Sequence, residues 1–471
     1  MQASACPTLP PFWNGYGREG RARMGRLICI SNRIPSGPNP SGGLVVALHD
    51  TIKETGGIWI GTSGEIVDTP ENTLHEITDG PFRRMAFDLT EAEQKNYYFG
   101  FSNQVLWPLF HGRTDLLEIH AEYLDSYKEV NRRFAKMLIE VIEPEDRIWV
   151  HDYHLIPLAL YLRQLGAKNR MGFFLHTPFP NPITLHALPN AEDVCEWLAN
   201  YEVVGMQSER DARAAIACLT EIAGAQELAG GFVQLGERQC RVAAFPIAID
   251  AQEFRHLAEE QIDRLPAGVI KPDRQLIIGV DRLDYTKGVP QRFKAFGEFL
   301  SRHEEWHRHV SLIQISPPTR EGVEAYDNIR EETEHLSGQV NGQFADIQWA
   351  PIRFINRPVP RETLAGLYRA AQIALVTPLM DGMNLVAKEF VAAQNPEDPG
   401  VLILSQFAGA AEQMDDALIV NPHDIEQMAT AIMTALAMPL QDRRRRHEAL
   451  MDVLLTKDVS WWSKGFLTAL G

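Results

Sequence analysis

Short apolar runs alternate with helix-length amphipathic stretches along almost the whole chain, and this alternation limits the folds open to it. Strand candidates are Leu27–Ser31, Ile58–Gly61, Arg147–His151, Met171–His176, Glu202–Met206, Gln275–Asp281, Val310–Ser316, Ile347–Phe354, Gln372–Thr377, Val401–Ser405 and Ala417–Val420. Between them lie the helix candidates Gly43–Thr55, Ala121–Ile142, Ser208–Ile222, Lys287–His303, Tyr326–Ser337 and Ile425–Ala437. A strand covered on both faces reads as a continuous apolar run, and parallel strands need a crossover helix to return the chain. The expected class is therefore α/β, with doubly wound parallel sheets. A chain of 471 residues carries too many such elements for one sheet. The break is expected around Asp250–Pro272, a charged, proline-containing stretch after Phe245-Pro-Ile-Ala-Ile249. Two similar α/β domains would flank it, with ligands in the cleft between them.

Composition narrows the partners. A net charge of −17 argues against nucleic acid or an anionic membrane surface as the main partner. An anionic substrate then needs a local basic pocket. The longest apolar runs, such as Leu155–Leu162, fall short of the ~20 residues of a membrane helix. Cys6, Cys29, Cys195, Cys218 and Cys240 are scattered without a CxxC pair, so a reducing, cytoplasmic setting is expected. Met1–Arg23 has neither period nor the apolar core of a signal peptide. It is expected to be disordered, or to precede a true start at Met24.

Ligands of open parallel sheets gather at the carboxyl ends of strands, so residues just past predicted strands are the candidates. The run Pro378-Leu-Met-Asp381-Gly382-Met383-Asn384-Leu385-Val-Ala-Lys388-Glu389 follows one such strand and opens a helix. A helix start presents free N–H groups and a positive dipole end, a seat for phosphate. Asp381 and Glu389 are about two turns apart at ~3.6 residues per turn, so both can face one crevice. Carboxylates accept hydrogen bonds from sugar hydroxyls and repel phosphates, which suggests a nucleotide-sugar. The plainer reading stands beside it: Asp381 as a helix N-cap and Glu389 as a solvated helix residue.

Arg282 and Lys287 bracket a turn after the strand Gln275–Asp281. Two cations there can neutralise a diphosphate; their alternative is a surface pairing with Asp281 and Asp284. Arg33 ends the first strand, ahead of a turn with Gly42 and Gly43, where a guanidinium can clamp a phosphate. Arg320 stands just past another strand. His151-Asp152-Tyr153-His154 and Phe173–Pro180 also end apolar strands. The HxxH spacing lacks a third ligand, so His151 and His154 read as structural and no metal is expected; Asp152 and His176 are candidates for ligand contact. The aromatic cluster Tyr97–Pro108, with Tyr98 and Trp107, suits either a core or a sugar site.

With these motifs in order, the chain resembles the trehalose-6-phosphate synthase family, retaining glycosyltransferases of the GT-B fold with two Rossmann-like domains. The likeness runs from about Arg26 to the C-terminus. It rests on Ser31-Asn-Arg-Ile34, Val105-Leu-Trp-Pro108, His151-Asp-Tyr-His154, Phe173-Phe-Leu-His176, Arg282–Gly288, Asp381–Glu389 and Leu404-Ser-Gln-Phe-Ala-Gly-Ala410. The resemblance implies transfer of glucose from UDP-glucose, or another NDP-glucose, to glucose 6-phosphate, without cofactor or metal. It also implies a homo-oligomer, such as a homotetramer. Residues 25–255 would form the acceptor domain and 256–456 the donor domain, with residues 457–471 as a helix crossing back and 1–24 as an extension.

The resemblance assigns roles to matching positions. Arg282 and Lys287 would hold the donor diphosphate, helped by amides of Met383, Asn384 and Leu385, with Gly42 and Gly43 on the other side. Glu389 would bind the ribose and Asp381 the donor glucose hydroxyls. His176 would contact the donor sugar near its reacting face. Arg33, Tyr98, Trp107 and Arg320 would bind the acceptor's phosphate and ring, with Asp152 against its hydroxyls. One departure concerns the acceptor side: the family pattern W-x-G-W reads Trp59-Ile60-Gly61-Thr62 here. Two rival readings follow: a GT-B enzyme for another phosphorylated acceptor, and a non-catalytic sugar-phosphate sensor on the same fold.

Overall fold

The computed structural model of the chain describes residues 25–35, 48, 51–52, 57–77, 82–320 and 323–471. The N-terminal extension, Gly42 and Gly43, and most of the helix expected over Gly43–Thr55 lie outside the described residues.

Two sheets organise the described residues. The first contains β1 (Leu27–Arg33), β2 (Gly57–Ile66), β3 (His75–Ile77), β4 (Arg83–Leu89), β5 (Arg147–His151), β6 (Met171–Phe174), β7 (Val203–Met206), β8 (Gln226–Glu227), β9 (Phe232–Leu235) and β10 (Arg238–Ala244). Their order is β3-β4-β2-β1-β5-β6-β7-β10-β9-β8. The second contains β11 (Gln275–Val280), β12 (Val310–Ile315), β13 (Ile352–Ile355), β14 (Ile373–Val376), β15 (Val401–Ser405) and β16 (Leu418–Val420), ordered β13-β12-β11-β14-β15-β16. All pairs in the second sheet are parallel. Each sheet steps outward from its first strand, then reverses on the other side. That leaves a switch point between β1 and β5 and another between β11 and β14.

The first sheet departs from the expected purely parallel form. Its core is parallel, but β3 pairs antiparallel with β4, and β9 pairs antiparallel with β10 and β8. These edge strands are two to four residues long, and Gln226–Glu227 is polar and exposed, so no long apolar run marked them. The strand expected over Ile347–Phe354 begins only at Ile352. Ile347 protrudes at 104% relative exposure, in a turn closed by the Asp346–Trp349 bridge. A 13-residue π-helix, Gln94–Leu106, replaces what sequence showed only as an aromatic cluster. Runs of this geometry are rare and frequently sit at functional sites.

The segment Phe245–Ile249 links the sheets, and its Ile247 and Ile249 belong to a core that runs from Trp149 and Phe174 to Phe390 and Leu404. The final helix, Val459–Leu470, is capped by Asp458, which accepts from the Trp461 N–H at 2.7 Å. It lies against the first sheet, where Phe466 stacks on Trp149 with ring centres 4.6 Å apart. Gly172 of β6 makes this possible, since a Cβ there would sit 2.6 Å from the Phe466 ring.

Candidate active site

The two switch points face each other, and most of the candidate residues stand at them. From the second sheet, the loop after β11 carries Asp281, Arg282, Asp284 and Lys287, and the loop after β14 carries Asp381. Lys287 Nζ donates to Asp381 Oδ2 at 2.6 Å, both side chains being nearly buried. Burial pushes the Asp381 carboxyl up, but Lys287 outweighs it and holds the carboxyl below its ordinary range. Asn384 Nδ2 adds a second hydrogen bond to Oδ2 at 3.0 Å.

The helix that follows is Leu385–Ala393, and Asn384, not Asp381, occupies its cap position without a capping side-chain bond. The plainer reading of Asp381 as an N-cap is therefore corrected: its carboxylate serves Lys287. The pairing of Arg282 and Lys287 with Asp281 and Asp284 does not form either. Asp281 Oδ2 instead accepts from the fully buried Arg292 Nη1 at 2.8 Å, and Arg292 also donates to Gln314 Oε1 at 2.8 Å. Asp284 accepts from the Tyr326 hydroxyl at 3.0 Å and pairs with Arg320 at 3.5 Å. Burial raises the Asp284 carboxyl, yet Arg320, Arg282 and Lys287 together bring it below its usual value.

Arg282 is thus left exposed at the cleft, its guanidinium 5.6 Å from the centre of the Trp107 ring. Arg320 covers the same ring at 3.9 Å. It donates to the Tyr153 hydroxyl at 3.1 Å and to the Tyr326 hydroxyl. Tyr153 in turn donates to Asn103 Oδ1 at 2.9 Å, and Asn103 Nδ2 to the Tyr98 carbonyl at 2.7 Å. The π-helix, the loop after β5 and the loop after β12 are thereby tied together around Trp107. Tyr98 stacks on His154 with ring centres 5.8 Å apart.

From the first sheet, Arg33 ends β1 as an exposed side chain lying over Gly64, where a Cβ would meet the guanidinium carbon at 2.5 Å. Thr62, the departure on the acceptor side, points inward and donates to the Asn32 carbonyl at 2.6 Å. Asp152 follows β5, accepts the His176 backbone N–H at 3.3 Å, and is pushed up to about 6 by burial. His151 and His154 do not converge: His151 Nδ1 faces His176 Nε2 at 3.1 Å, while His154 packs against Tyr153.

The loops of the two halves touch. A Cβ on Gly382 would sit 2.3 Å from the His176 carbonyl oxygen, so only glycine permits this approach. Among the described residues, four non-glycine residues have positive φ, and three of them are candidates here: Asp152 (76°), Arg320 (51°) and Asn384 (82°). Such conformations persist only where the surroundings impose them, and they concentrate at functional sites. Glu389, further along the helix, is half-buried; burial raises it to about 7, against a weak opposing pull from Arg361. Its neighbours offer it no hydrogen bond among those found in the described residues. Gly42 and Gly43 lie outside them.

Several participants escaped the sequence reading. Tyr326 and Arg292 were not singled out, and Asp284, Asn103 and Tyr153 stood in the sequence without Tyr326, Tyr153 and Arg320, the hydrogen-bond partners that lie 42 residues or more away from them. The spacing Asp281–Arg292 along a helix start was the one available signal.

A cationic switch point opposed by aromatic and carboxylate groups on a second sheet is a place to hold an anionic leaving group against a sugar. The model of glycosyltransferase family 20 matches residues 31–471. The chain belongs to glycosyltransferase family 20. Family 20 membership makes it a glycosyltransferase, and its two-sheet architecture is the GT-B fold. The chain is 43% identical over 456 residues to the trehalose-6-phosphate synthase of Sinorhizobium fredii, covering 95% of this chain and 98% of that one. A trehalose-phosphate synthase from Burkholderia xenovorans, solved with glucose-6-phosphate, superposes with a TM-score of 0.91 at 43% identity, covering 95% of this chain and 100% of the other. The Escherichia coli enzyme bound with UDP-2-fluoro glucose gives 0.89 at 39%, covering 95% and 99%.

Proposed function

We propose that this family 20 enzyme is an α,α-trehalose-6-phosphate synthase, transferring glucose with retention from UDP-glucose to glucose 6-phosphate. The observation that carries the reading is the meeting of Arg282 and Arg320 over Trp107, beside the Lys287–Asp381 pair. One cation faces the departing diphosphate and the other the acceptor phosphate, with the reacting centre between them.

In this reading Arg282, Lys287 and the amides at Met383, Asn384 and Leu385 stabilise charge as the anomeric C–O bond lengthens. Asp381 orders Lys287 and accepts from donor glucose hydroxyls, while Glu389 takes the ribose hydroxyls that its unpaired carboxyl lacks. Arg33, Tyr98, Trp107 and Arg320 hold the acceptor, and Asp152 its hydroxyls; His176 lines the donor sugar. Attack comes from the face of departure, and a leaving phosphate oxygen takes the acceptor proton. The buried thiols of Cys29, Cys195, Cys218 and Cys240 suit a reducing, cytoplasmic setting. No helix among the described residues is long and apolar enough to cross a membrane.

The test is release of UDP from UDP-glucose with and without glucose 6-phosphate, with identification of the product. Release that requires glucose 6-phosphate and yields trehalose 6-phosphate is expected. Sugar-phosphate binding without turnover, seen by calorimetry, would favour a sensor.

A further inference from the structure

The hydrogen bonds behind His176 form a chain that ends in the other half of the molecule. Gln207 follows β7 and is 2% exposed. Its Oε1 accepts the Ile247 N–H at 3.0 Å, which turns its Nε2 toward His176 Nδ1 at 3.2 Å. An amide nitrogen only donates, so His176 Nδ1 is the acceptor, and the neutral ring carries its proton on Nε2. That nitrogen lies 3.1 Å from His151 Nδ1 and donates to it. Both ring nitrogens of His176 are thus engaged within the protein. What His176 offers Gly382 and the cleft is its backbone, and the ring is the peg that holds that backbone.

The chain continues through the linker. The Ile247 carbonyl accepts from Lys388 Nζ at 2.7 Å, and Lys388 also donates to Gln413 Oε1 at 2.9 Å. Lys388 is 1% exposed and forms no ion pair among the described residues. Lysines are almost never fully buried without a charged partner, because the ammonium loses its hydration. Burial lowers this one to about 7. It sits beside Glu389 on the helix that begins at the Asp381–Asn384 loop.

We propose that Gln207 and Lys388 are positioning residues for the transfer. Gln207 holds His176 in its Nε2–H form, and Lys388 ties the linker residue that orients Gln207 to the helix of the donor loop. Seating a nucleotide at that helix is then felt at His176. This deepens the proposed glycosyl transfer and rests on it for its UDP and kinetic arms, which are read only once calorimetry has shown that the wild type binds UDP; the tautomer arm stands alone.

The test begins with 15N spectra of histidine-labelled, unliganded enzyme, with the His176 signals assigned against a His176→Asn sample. A bare Nδ1 and a protonated Nε2 are expected. A proton on Nδ1 in the wild-type protein overturns the assignment whether or not any variant folds. Gln207→Glu presents a carboxylate to Nδ1 and should move a proton onto it; an unchanged tautomer in the folded variant also overturns the proposal. Addition of UDP should shift the His176 signals in the wild type and not in Lys388→Met; equal shifts in both, or none in the wild type, remove Lys388 from the relay. In kinetics, Gln207→Glu should lower kcat about tenfold or more while the donor KM moves less than about threefold, the signature of lost positioning and not of lost binding. Unchanged kcat would count against the proposal. Failure of the transferase reading itself would appear as absent turnover in the wild type, leaving the tautomer result readable.

Discussion

The Lys287 ammonium and the Asp381 carboxylate lie 2.6 Å apart across the switch point of the second sheet. They come from loops after β11 and β14, two strands that are neighbours in space and far apart in sequence. The pair keeps a cation fixed and aimed before any ligand arrives. Preorganisation of this kind spares the reaction the work of orienting the dipole as charge develops.

Lys287→Ala should therefore abolish measurable turnover, with a loss of at least about 10²–10³ in kcat. The fold should survive, because Asn384 still donates to Asp381 and the cleft admits water. Circular dichroism with steady-state assays checks both halves; turnover like that of the wild type would refute the role.

Arg320 and Asp284 form a buried pair whose side chains are 5% and 0% exposed. Removing one partner of such a pair costs about 3–5 kcal/mol, because the other charge is stranded. Arg320→Ala should lower Tm and raise the KM for glucose 6-phosphate. Adding Asp284→Asn should restore much of the Tm and none of the acceptor affinity. Recovery of both together would show that Arg320 acts only on stability.

Gly382→Ala tests the contact between the two halves. The new Cβ would collide with the His176 carbonyl, 2.3 Å away, and backbone cannot yield as a side-chain tip does. The loops must separate, so kcat should fall by about 10² or more, as displacements near 1 Å do. The substitution deletes no buried side chain, so Tm should change far less than kcat.

Glu389 sets a pH dependence. Burial raises its carboxyl to about 7 in the folded chain, against about 4.3 when unfolded. The hydroxyls it would bind need the ionised form, so donor affinity should fall about tenfold per pH unit below 7 and level off above it. Glu389→Gln should flatten that slope while weakening binding, as read by calorimetry from pH 5.5 to 8. The stability term has the opposite sense. A folded-state value above the unfolded one favours folding at low pH, and that contribution is lost as pH rises through 7. Asp152, raised to about 6, acts in the same direction over a lower window. Glu389→Gln should thus lessen the decline of Tm between pH 6 and 7.

The alternation of apolar runs with helical periods was enough to read two α/β sheets, because a parallel strand buried on both faces leaves a continuous signature. It was also enough to place Arg282, Lys287, Asp381, Asp152 and His176 at strand ends, since the strand ends follow from the runs themselves. The edge strands Gln226–Glu227 and Phe232–Leu235 and the π-helix Gln94–Leu106 were not legible. Gln226–Glu227 has no apolar signature, Phe232–Leu235 is too short to carry one, and the period of the third is shared with ordinary aromatic core. Partner choice was the tertiary structure's decision. Asp281 and Asp284 are neighbours of Arg282 and Lys287 in sequence, yet they pair with Arg292 and Arg320. The fold of the second sheet carries Asp381 to Lys287 from 94 residues away. Local patterns report which backbone a segment prefers; a buried charge takes whichever opposite charge the packing brings within reach, and that follows only from the strand order of the finished sheets.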